Sequence, residues 1–198
     1  MAGSRTSTEL DELVVAARAV LAERGYDGLR VEDVLERAGL STRAFYRHFA
    51  GKSALFLHVF EVESTRANQR LQARVEQASD PVEAVKEWIT AALGVVYEPR
   101  LAKRARLVAG ERGSLAQRFP DEIDRLNRRQ LEPLEQSIAA GKAAGLFPAA
   151  DPGTDARAIQ HLCAGLINER LYGRSPLGRK DAVALATRFA LGALKSSA

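Results

Sequence analysis

The chain has 198 residues, with 29 lysines and arginines against 25 aspartates and glutamates, and it has a single cysteine. One cysteine excludes an intramolecular disulfide framework and a four-cysteine zinc module. The longest apolar stretch, residues 88–97, is about half as long as a bilayer-spanning helix. Residues 6–11 are polar where the apolar run of a signal peptide would begin. These features predict a soluble, cytoplasmic protein with no membrane partner.

Apolar residues recur with a period near 3.6 along most of the chain, which predicts an all-α protein of about nine helices. The first helix is expected from residue 7 or 8 to residue 24, where Gly25 ends it. Two short helices follow over residues 31–38 and 42–49. Gly39 ends the former, and Ser41 is a suitable N-cap for the latter. A long fourth helix is expected to start at Lys52 and to reach residue 77 or 78.

The fifth helix is predicted to begin at Pro81, with Asp80 as N-cap and Glu83 completing a capping box. It is apolar on nearly every side, so we expect it to be central and buried. A basic helix over residues 100–109 and a loop over 110–113 follow. The next helix, residues 121–144, tolerates Pro133 as a kink and ends at Gly145. After a turn at residues 151–153, a helical pair over 154–172 and 180–195 closes the chain.

Basic side chains gather in one segment, although residues 1–52 carry no net charge. Between Arg37 and Ser53 the chain has no acidic residue. The basic side chains of this stretch are Arg43, Arg47, His48 and Lys52. Such a positive edge on a neutral module is typical of a surface that faces phosphate.

The two short helices and the glycine-containing turn between them form a helix-turn-helix, whose second helix can enter the major groove of DNA. Ala44, Phe45 and Phe49 are predicted to point into a small three-helix core. The outer face is then predicted to carry Thr42, Arg43, Tyr46, Arg47 and His48. Exposed tyrosine, arginine and histidine on so short a helix suit DNA contacts better than packing.

The residue types divide the predicted contacts between bases and phosphates. Arg43 can bond guanine O6 and N7, and Thr42 can meet a base edge or a thymine methyl. Lys52 opens a helix, where a cation and free backbone N–H groups favour a phosphate. Phosphate contacts, which fix register rather than sequence, are also expected from Ser41, Tyr46 and His48.

Five short motifs stand in order in this segment. They are Gly25-Tyr26, Val31-Glu32-Asp33-Val34, Ala38-Gly39-Leu40-Ser41, Phe45-Tyr46-Arg47-His48-Phe49 and Gly51-Lys52. In these motifs the chain resembles the TetR-type transcriptional regulators. The resemblance implies a homodimer, a palindromic operator in double-stranded DNA and an unknown small-molecule effector that releases the DNA. It also implies backbone contacts from Ser41, Tyr46, His48 and Lys52, and positions at or near bases for Thr42, Arg43 and Arg47.

The chain departs from the family pattern at three positions. Leu29-Arg30 stands where members usually have a serine or threonine, so we expect Arg30 to replace that hydroxyl as a phosphate contact. Many members have glycine or proline at the position of Arg43, so the operator cannot be copied from a relative. Ser53 stands where an acidic residue is frequent, a change predicted to have no consequence.

We predict a DNA-binding domain over residues 1–52 and an effector-binding and dimerisation domain over residues 53–198. Polar or aromatic side chains among apolar ones are candidate effector contacts, although a packed core or an interface explains them as well. The candidates are Trp88, Tyr97, Arg104, His161, Asn168, Glu169 and Tyr172. Arg104 belongs to a basic cluster with Arg100, Lys103 and Arg106. This cluster suits either an acidic effector, such as an acyl-coenzyme A, or a solvated face.

The last two helices carry apolar stripes that are too wide for packing on one side only. Two copies of this pair would form a four-helix bundle about a two-fold axis. The predicted interface residues are Ile159, Leu162, Leu166, Val183, Ala186, Phe189, Ala190 and Ala193.

Catalytic signatures are missing from the sequence. It has no phosphate-binding glycine loop, no nucleophile elbow and no metal-ligand spacing, so we expect no enzyme activity, metal or cofactor. Cys163 stands among small residues, which indicates packing rather than a redox switch. The predicted function is a nucleoid-associated repressor that a ligand releases. An activator or a chromosome-organising protein of the same fold is the alternative, and a helical enzyme is a distant one.

Overall fold

The computed structural model describes residues 2–99, 101–102, 105 and 112–196. These residues form nine helices and no strand, so the predicted all-α fold is confirmed. The helices are α1 (Ala2–Arg24), α2 (Val31–Ala38), α3 (Thr42–His48), α4 (Lys52–Glu76), α5 (Pro81–Gly94), α6 (Arg112–Arg118), α7 (Pro120–Ala143), α8 (Pro152–Leu171) and α9 (Arg179–Lys195).

Most helix ends lie within a residue or two of the predicted ones, because the capping residues act as their chemistry predicts. Gly25 and Gly39 follow α1 and α2 in the left-handed conformation, with φ of 70° and 66°, which costs glycine little. Ser41 caps α3 by accepting a hydrogen bond of 3.2 Å from the Ala44 N–H. Asp80 accepts one of 2.9 Å from the Glu83 N–H and so begins α5.

Three helix boundaries were predicted wrongly. α1 begins at Ala2 rather than at residue 7 or 8. α6 occupies residues 112–118, where the sequence predicts a loop through Gly113. α8 begins at Pro152 because Asp151 is its N-cap and accepts from both the N–H and the hydroxyl of Thr154. Of the predicted basic helix over residues 100–109, only positions 101, 102 and 105 are described, and they are helical.

The chain divides into two compact units, and the division falls within α4, after Ser64. The first unit contains α1 to α3, the beginning of α4 and α6. The second contains the rest of α4 with α5, α7, α8 and α9. The sequence predicts a boundary after residue 52, twelve residues before the one in the structure. The boundary lies later in the structure because the beginning of α4 packs with the first unit, where the rings of Phe56 and Tyr26 lie 4.7 Å apart.

The first unit is built around aromatic and aliphatic side chains from each of its helices. Its core includes Leu13, Ala17, Leu21, Leu29, Val34, Ala44, Phe45, Leu55, Phe56 and Leu115, all of them buried. Because α2 and α3 are each too short to be stable alone, this shared core holds them in place.

The second unit is built around α5, as its apolar sequence predicts. Trp88 is 0% exposed, and its indole Nε1 donates a 3.1 Å hydrogen bond to the Gln130 carbonyl of α7. Trp88 belongs to a buried core cluster with residues of α7, α8 and α9, among them Leu134, Ile138, Ile159, Cys163, Ala186 and Ala190. α7 continues through Pro133, as predicted.

Candidate nucleic-acid interface

α3 is a seven-residue helix that the first unit presents at its surface. Ala44 and Phe45 are 3% and 0% exposed, and Phe49 just after the helix is 6% exposed. The Phe45 ring lies 5.7 Å from that of Phe49. These side chains anchor one face of α3 in the core, as predicted, and leave the opposite face free of packing.

The opposite face of α3 carries four exposed side chains, which are Thr42, Arg43, Tyr46 and Arg47. The most conspicuous is Tyr46, an aromatic side chain that is 60% exposed. Ser41, the N-cap, is exposed beside them. The predicted outer position of these residues is thus confirmed, while their contacts with DNA remain a prediction.

The predicted outer position of His48 is wrong. Its side chain is only 8% exposed, and Nε2 lies 3.5 Å from Oε2 of Glu9 on α1. His48 is four residues after Ala44 and three after Phe45, so the helical period places it on their inward face. A phosphate contact from His48 would therefore need its ring to turn outward or a phosphate to approach α1.

Arg47 is paired with the same carboxylate. Its Nη2 lies 2.6 Å from Oε2 of Glu9. The Glu9 side chain is 14% exposed and that of Arg47 is 53% exposed. The sequence offers no sign of this pair, because its two members stand 38 residues apart along the chain.

The remaining predicted phosphate contacts lie at helix starts. Arg30 is exposed at the N-cap position of α2 and makes no side-chain cap there. Lys52 begins α4, and its Nζ lies 4.2 Å from the centre of the Tyr26 ring and 3.5 Å from the Asp27 carbonyl. A cation held over an aromatic ring at a helix N-terminus has the geometry for a phosphate contact.

Ser53 has partners that the sequence does not predict. Its Oγ accepts a 2.7 Å hydrogen bond from Nη1 of Arg118 in α6 and lies 3.1 Å from the Tyr26 hydroxyl. Arg118 is exposed. It therefore adds a second cation beside Lys52, from a helix far along the chain.

Ion pairs hold α2 against α1. Arg37 makes two hydrogen bonds to the Glu23 carboxylate, of 2.7 and 3.0 Å, and these raise the pKa of Arg37. Arg24 pairs with Asp33 at 2.6 Å. These pairs join α2 to the end of α1 and neutralise one arginine on each of the two helices.

The candidate effector contacts in the second unit lie in different surroundings. Trp88 is buried and hydrogen-bonded as described above. Tyr97 donates a 3.2 Å hydrogen bond to the Leu177 carbonyl, and the Arg170 guanidinium lies 5.1 Å from its ring centre. Four candidates are exposed on α8 or just after it, namely His161, Asn168, Glu169 and Tyr172. Arg104 and the rest of its basic cluster lie outside the described residues. None of these placements tests an effector role.

The predicted interface residues fall into three groups, which are buried, partly buried and exposed. Ile159, Ala186 and Ala190 are buried in the core of their own chain, at 5%, 0% and 4% exposure. Leu162, Leu166 and Val183 are partly buried. Phe189 is 59% exposed, and Ala193 is exposed one turn further along α9. The outer face that is free for a partner is therefore narrower than the sequence pattern indicates.

Three further features of the described residues concern metal binding, membrane spanning and the single cysteine. No three histidine, cysteine, aspartate or glutamate side chains in the described ranges lie close enough to hold a metal ion. No described helix is long and apolar enough to cross a membrane. Burial raises the pKa of the Cys163 thiol to about 12, so the thiol stays neutral near pH 7, which agrees with a packing role.

Curated relatives match between 33% and 69% of this chain. The HTH-type transcriptional regulator YezE of Bacillus subtilis is 26% identical over 137 residues, 67% of this chain and 69% of YezE. The HTH-type transcriptional activator FasR of Mycolicibacterium smegmatis is 33% identical over 86 residues, 36% of this chain and 39% of FasR. The HTH-type transcriptional repressor NicS of Pseudomonas putida is 28% identical over 139 residues, 69% of this chain and 65% of NicS. The matches to FasR and NicS thus cover less than two thirds of each relative.

Solved structures share the fold over nearly the whole chain. A TetR-family regulator from Mesorhizobium loti has a TM-score of 0.72 at 22% identity, covering 96% of both chains. The regulator FadR from Bacillus subtilis, solved in complex with stearoyl-CoA, has a TM-score of 0.67 at 16% identity, covering 93% of this chain and 97% of that one. The family model for bacterial regulatory proteins of the tetR family matches residues 13–59, which include the whole helix-turn-helix. Residues 13–59 are therefore similar to the DNA-binding region of the TetR family of transcriptional regulators, and the chain shares the fold of TetR-family structures.

Proposed function

We propose that the protein is a homodimeric repressor, which binds a palindromic operator in double-stranded DNA and releases it when a small-molecule effector binds. The observation that carries this proposal is the outer face of α3. Thr42, Arg43, Tyr46 and Arg47 are exposed there on a helix whose other face is fixed in the core. A short helix held in this way presents hydrogen-bonding side chains to a major groove with little loss of conformational entropy on binding.

The proposed contacts follow from chemistry and position. Arg43 and Thr42, in the first turn of α3, contact base edges and supply much of the sequence preference. Phosphate contacts supply most of the affinity and its dependence on salt. They come from Ser41 and Tyr46 around α3, from Lys52 at the start of α4 and from Arg30 at the start of α2.

We propose that the outer face of α8 and α9 pairs two subunits about a two-fold axis. Exposed Phe189 and the partly buried Leu162 and Leu166 support this choice, because apolar side chains at a helix surface favour association. A two-fold axis makes the two recognition helices equivalent, so the operator is expected to be palindromic, with half-sites one helical turn apart.

The effector is proposed to bind in the second unit. α4 is continuous across the division between the units, so we propose that effector binding is transmitted along it and changes the spacing of the two recognition helices. Because binding equilibria are linked, the effector must weaken DNA binding by the same factor by which DNA weakens effector binding. Stearoyl-CoA is a suitable first ligand to test, since it is the ligand in the FadR structure.

The alternative function is transcriptional activation, and the name of one relative favours it. FasR is named as an activator, while NicS is named as a repressor. The same DNA-binding surface serves both outcomes, since the position of the operator relative to the promoter decides the sign.

The experiment that tests the proposal is selection of bound sequences from a random duplex pool, followed by a salt titration on the selected site. A two-fold symmetric site whose affinity falls steeply with salt is expected. A selected pool without enrichment over random DNA would contradict sequence-specific binding, provided that protein freed of co-purifying ligand behaves in the same way. Placing the selected site upstream of a reporter gene then separates repression from activation.

A further inference from the structure

We propose that Glu9 of α1 is a specificity-determining residue. It neutralises the charge of Arg47, and so it weakens binding to non-operator DNA more than it weakens binding to the operator. This inference rests on the proposed DNA-binding function of α3. It names a residue outside the helix-turn-helix that adjusts the balance between phosphate contacts and base contacts.

The geometry ties one carboxylate to the last turn of α3. Oε2 of Glu9 lies 2.6 Å from Nη2 of Arg47 and 3.5 Å from Nε2 of His48. An ion pair between two fully exposed side chains contributes little, because solvent screens it and both side chains lose conformational freedom. Here the Glu9 side chain is only 14% exposed, so solvent screens its charge less than that of a fully exposed acid.

The charge distribution shows why this pair matters. Residues 38–52 contain no acid, so the sequence predicts three strong cations at the DNA-facing edge: Arg43, Arg47 and Lys52. The structure brings the Glu9 carboxylate to Arg47 from α1. Within the described part of the chain, neither Arg43 nor Lys52 has such a carboxylate partner, and Lys52 lies over the Tyr26 ring instead. The charge of Arg47 is therefore balanced by a carboxylate, whereas the charges of Arg43 and Lys52 are not.

Pairing with Glu9 weakens the phosphate contacts of Arg47 more than its contacts with base edges. A phosphate that approaches Arg47 also meets the negative charge of Glu9, so fewer counterions are released from the DNA and the gain in affinity is smaller. Base edges carry no net charge, so the Glu9 carboxylate repels a base edge less than it repels a phosphate. A guanidinium has five N–H donors, so Arg47 keeps donors for a base while Glu9 fixes its orientation.

The test compares Glu9→Gln with the wild-type protein on two duplexes, the selected operator and a random sequence, across a range of salt concentrations. Glutamine keeps the size of the side chain but removes its charge. We expect affinity for the random duplex to rise severalfold. The slope of log affinity against log salt should steepen by about one per subunit, and the ratio of operator to random affinity should fall.

Asp11→Asn is the matched control, because Asp11 is an exposed acid on the same helix and loses the same charge. It should leave the slope and the affinity ratio close to those of the wild type. The double variant Glu9→Gln/Arg47→Ala should return to the wild-type slope, because it removes both charges of the pair. If Glu9→Gln behaves like Asp11→Asn, or if the double variant keeps the steeper slope of Glu9→Gln, the inference is wrong.

A second variant keeps the inference testable if Glu9→Gln does not fold. Glu9→Ala removes the same charge without leaving an amide in place of the carboxylate, so it is expected to steepen the salt slope on random DNA by about one per subunit. A slope that stays at the wild-type value in Glu9→Ala would overturn the inference. A wild-type protein that selects no sequence would instead overturn the proposed function, so the two failures are distinguishable.

Discussion

Arg118, the last residue of α6, donates a 2.7 Å hydrogen bond from Nη1 to Oγ of Ser53 in the first turn of α4. Oγ of Ser53 also lies 3.1 Å from the Tyr26 hydroxyl, and the Tyr26 ring lies under Lys52. One polar cluster thus connects α6, the start of α4 and the segment after α1. It holds in place the lysine that is proposed to contact phosphate.

Ser53→Ala should therefore destabilise the protein, because it removes the group that Arg118 and Tyr26 share. We expect a loss of about 1 kcal/mol in the free energy of unfolding, the usual size for such a hydrogen bond. Ser53→Asp should keep the wild-type stability, since a carboxylate there meets Arg118 and lies at a helix N-terminus. Urea denaturation followed by circular dichroism measures both. An alanine variant with an unchanged midpoint would show that the cluster contributes nothing.

Arg43→Ala should weaken binding to the selected operator by about 1–3 kcal/mol and relax the preference at one base position per half-site. The reason is that Arg43 is exposed in the first turn of α3, where a guanidinium reaches base edges. Repeating the selection with the variant measures the relaxed position. An equal loss on the operator and on random DNA would make Arg43 a phosphate contact instead.

Lys52→Ala should weaken binding to all duplexes by the same factor, since a phosphate contact carries no sequence information. The salt slope should fall by about one for each contact removed. Lys180→Ala is the control, because Lys180 is exposed in α9 of the second unit and loses the same charge. A slope that stays at the wild-type value in Lys52→Ala would refute the proposed phosphate contact.

Phe189→Asp should convert the proposed dimer into monomers, because it places a charge on the apolar outer face of α9. Phe189 is 59% exposed in the single chain, so the substitution should not disturb the fold. Val15→Asp is the control, as Val15 is 64% exposed on α1. Light scattering gives the mass of each variant. A Phe189→Asp protein that stays dimeric would move the interface to another surface.

The local chemistry of caps and periodicity predicts much of the fold. Gly39 and Ser41 fix the turn before α3, and Asp80 fixes the start of α5, because each acts through neighbours a few residues away. α6 is different. A glycine at residue 113 favours a loop locally, whereas burial of Leu115 at 3% exposure stabilises the helix. The burial of Leu115 depends on residues far away in the chain, so the sequence near α6 does not reveal it.

In the candidate DNA-binding site too, the sequence predicts the local features but not the contacts between distant residues. The helical period correctly predicts which side of α3 holds Arg43 and which holds Phe45. It also places His48 on the inward side when applied strictly, so its predicted exposure came from the residue type rather than from the period. The contacts of Glu9 with Arg47 and of Arg118 with Ser53 join residues 38 and 65 positions apart. No local pattern encodes such pairs.

Gly141→Ala should destabilise the second unit, because the Phe147 ring folds back onto Gly141 of α7 and leaves no room for a Cβ atom. Phe147 is 0% exposed, so its ring has no solvent space into which it can move. We expect a loss of about 1–3 kcal/mol from overpacking, although alanine favours the helix by up to about 1 kcal/mol. Urea denaturation can be followed by the fluorescence of Trp88, which lies in the same core.

Gly153→Ala is the matched control for this substitution. Gly153 is also helical, but open space surrounds the position of its Cβ, so the variant should be as stable as the wild type or more stable. Phe147→Leu in the Gly141→Ala background should cost less than the two single losses added together, because the smaller side chain makes room for the methyl group. If the two losses simply add, the ring does not limit residue 141, and the loss in Gly141→Ala must come from elsewhere in α7.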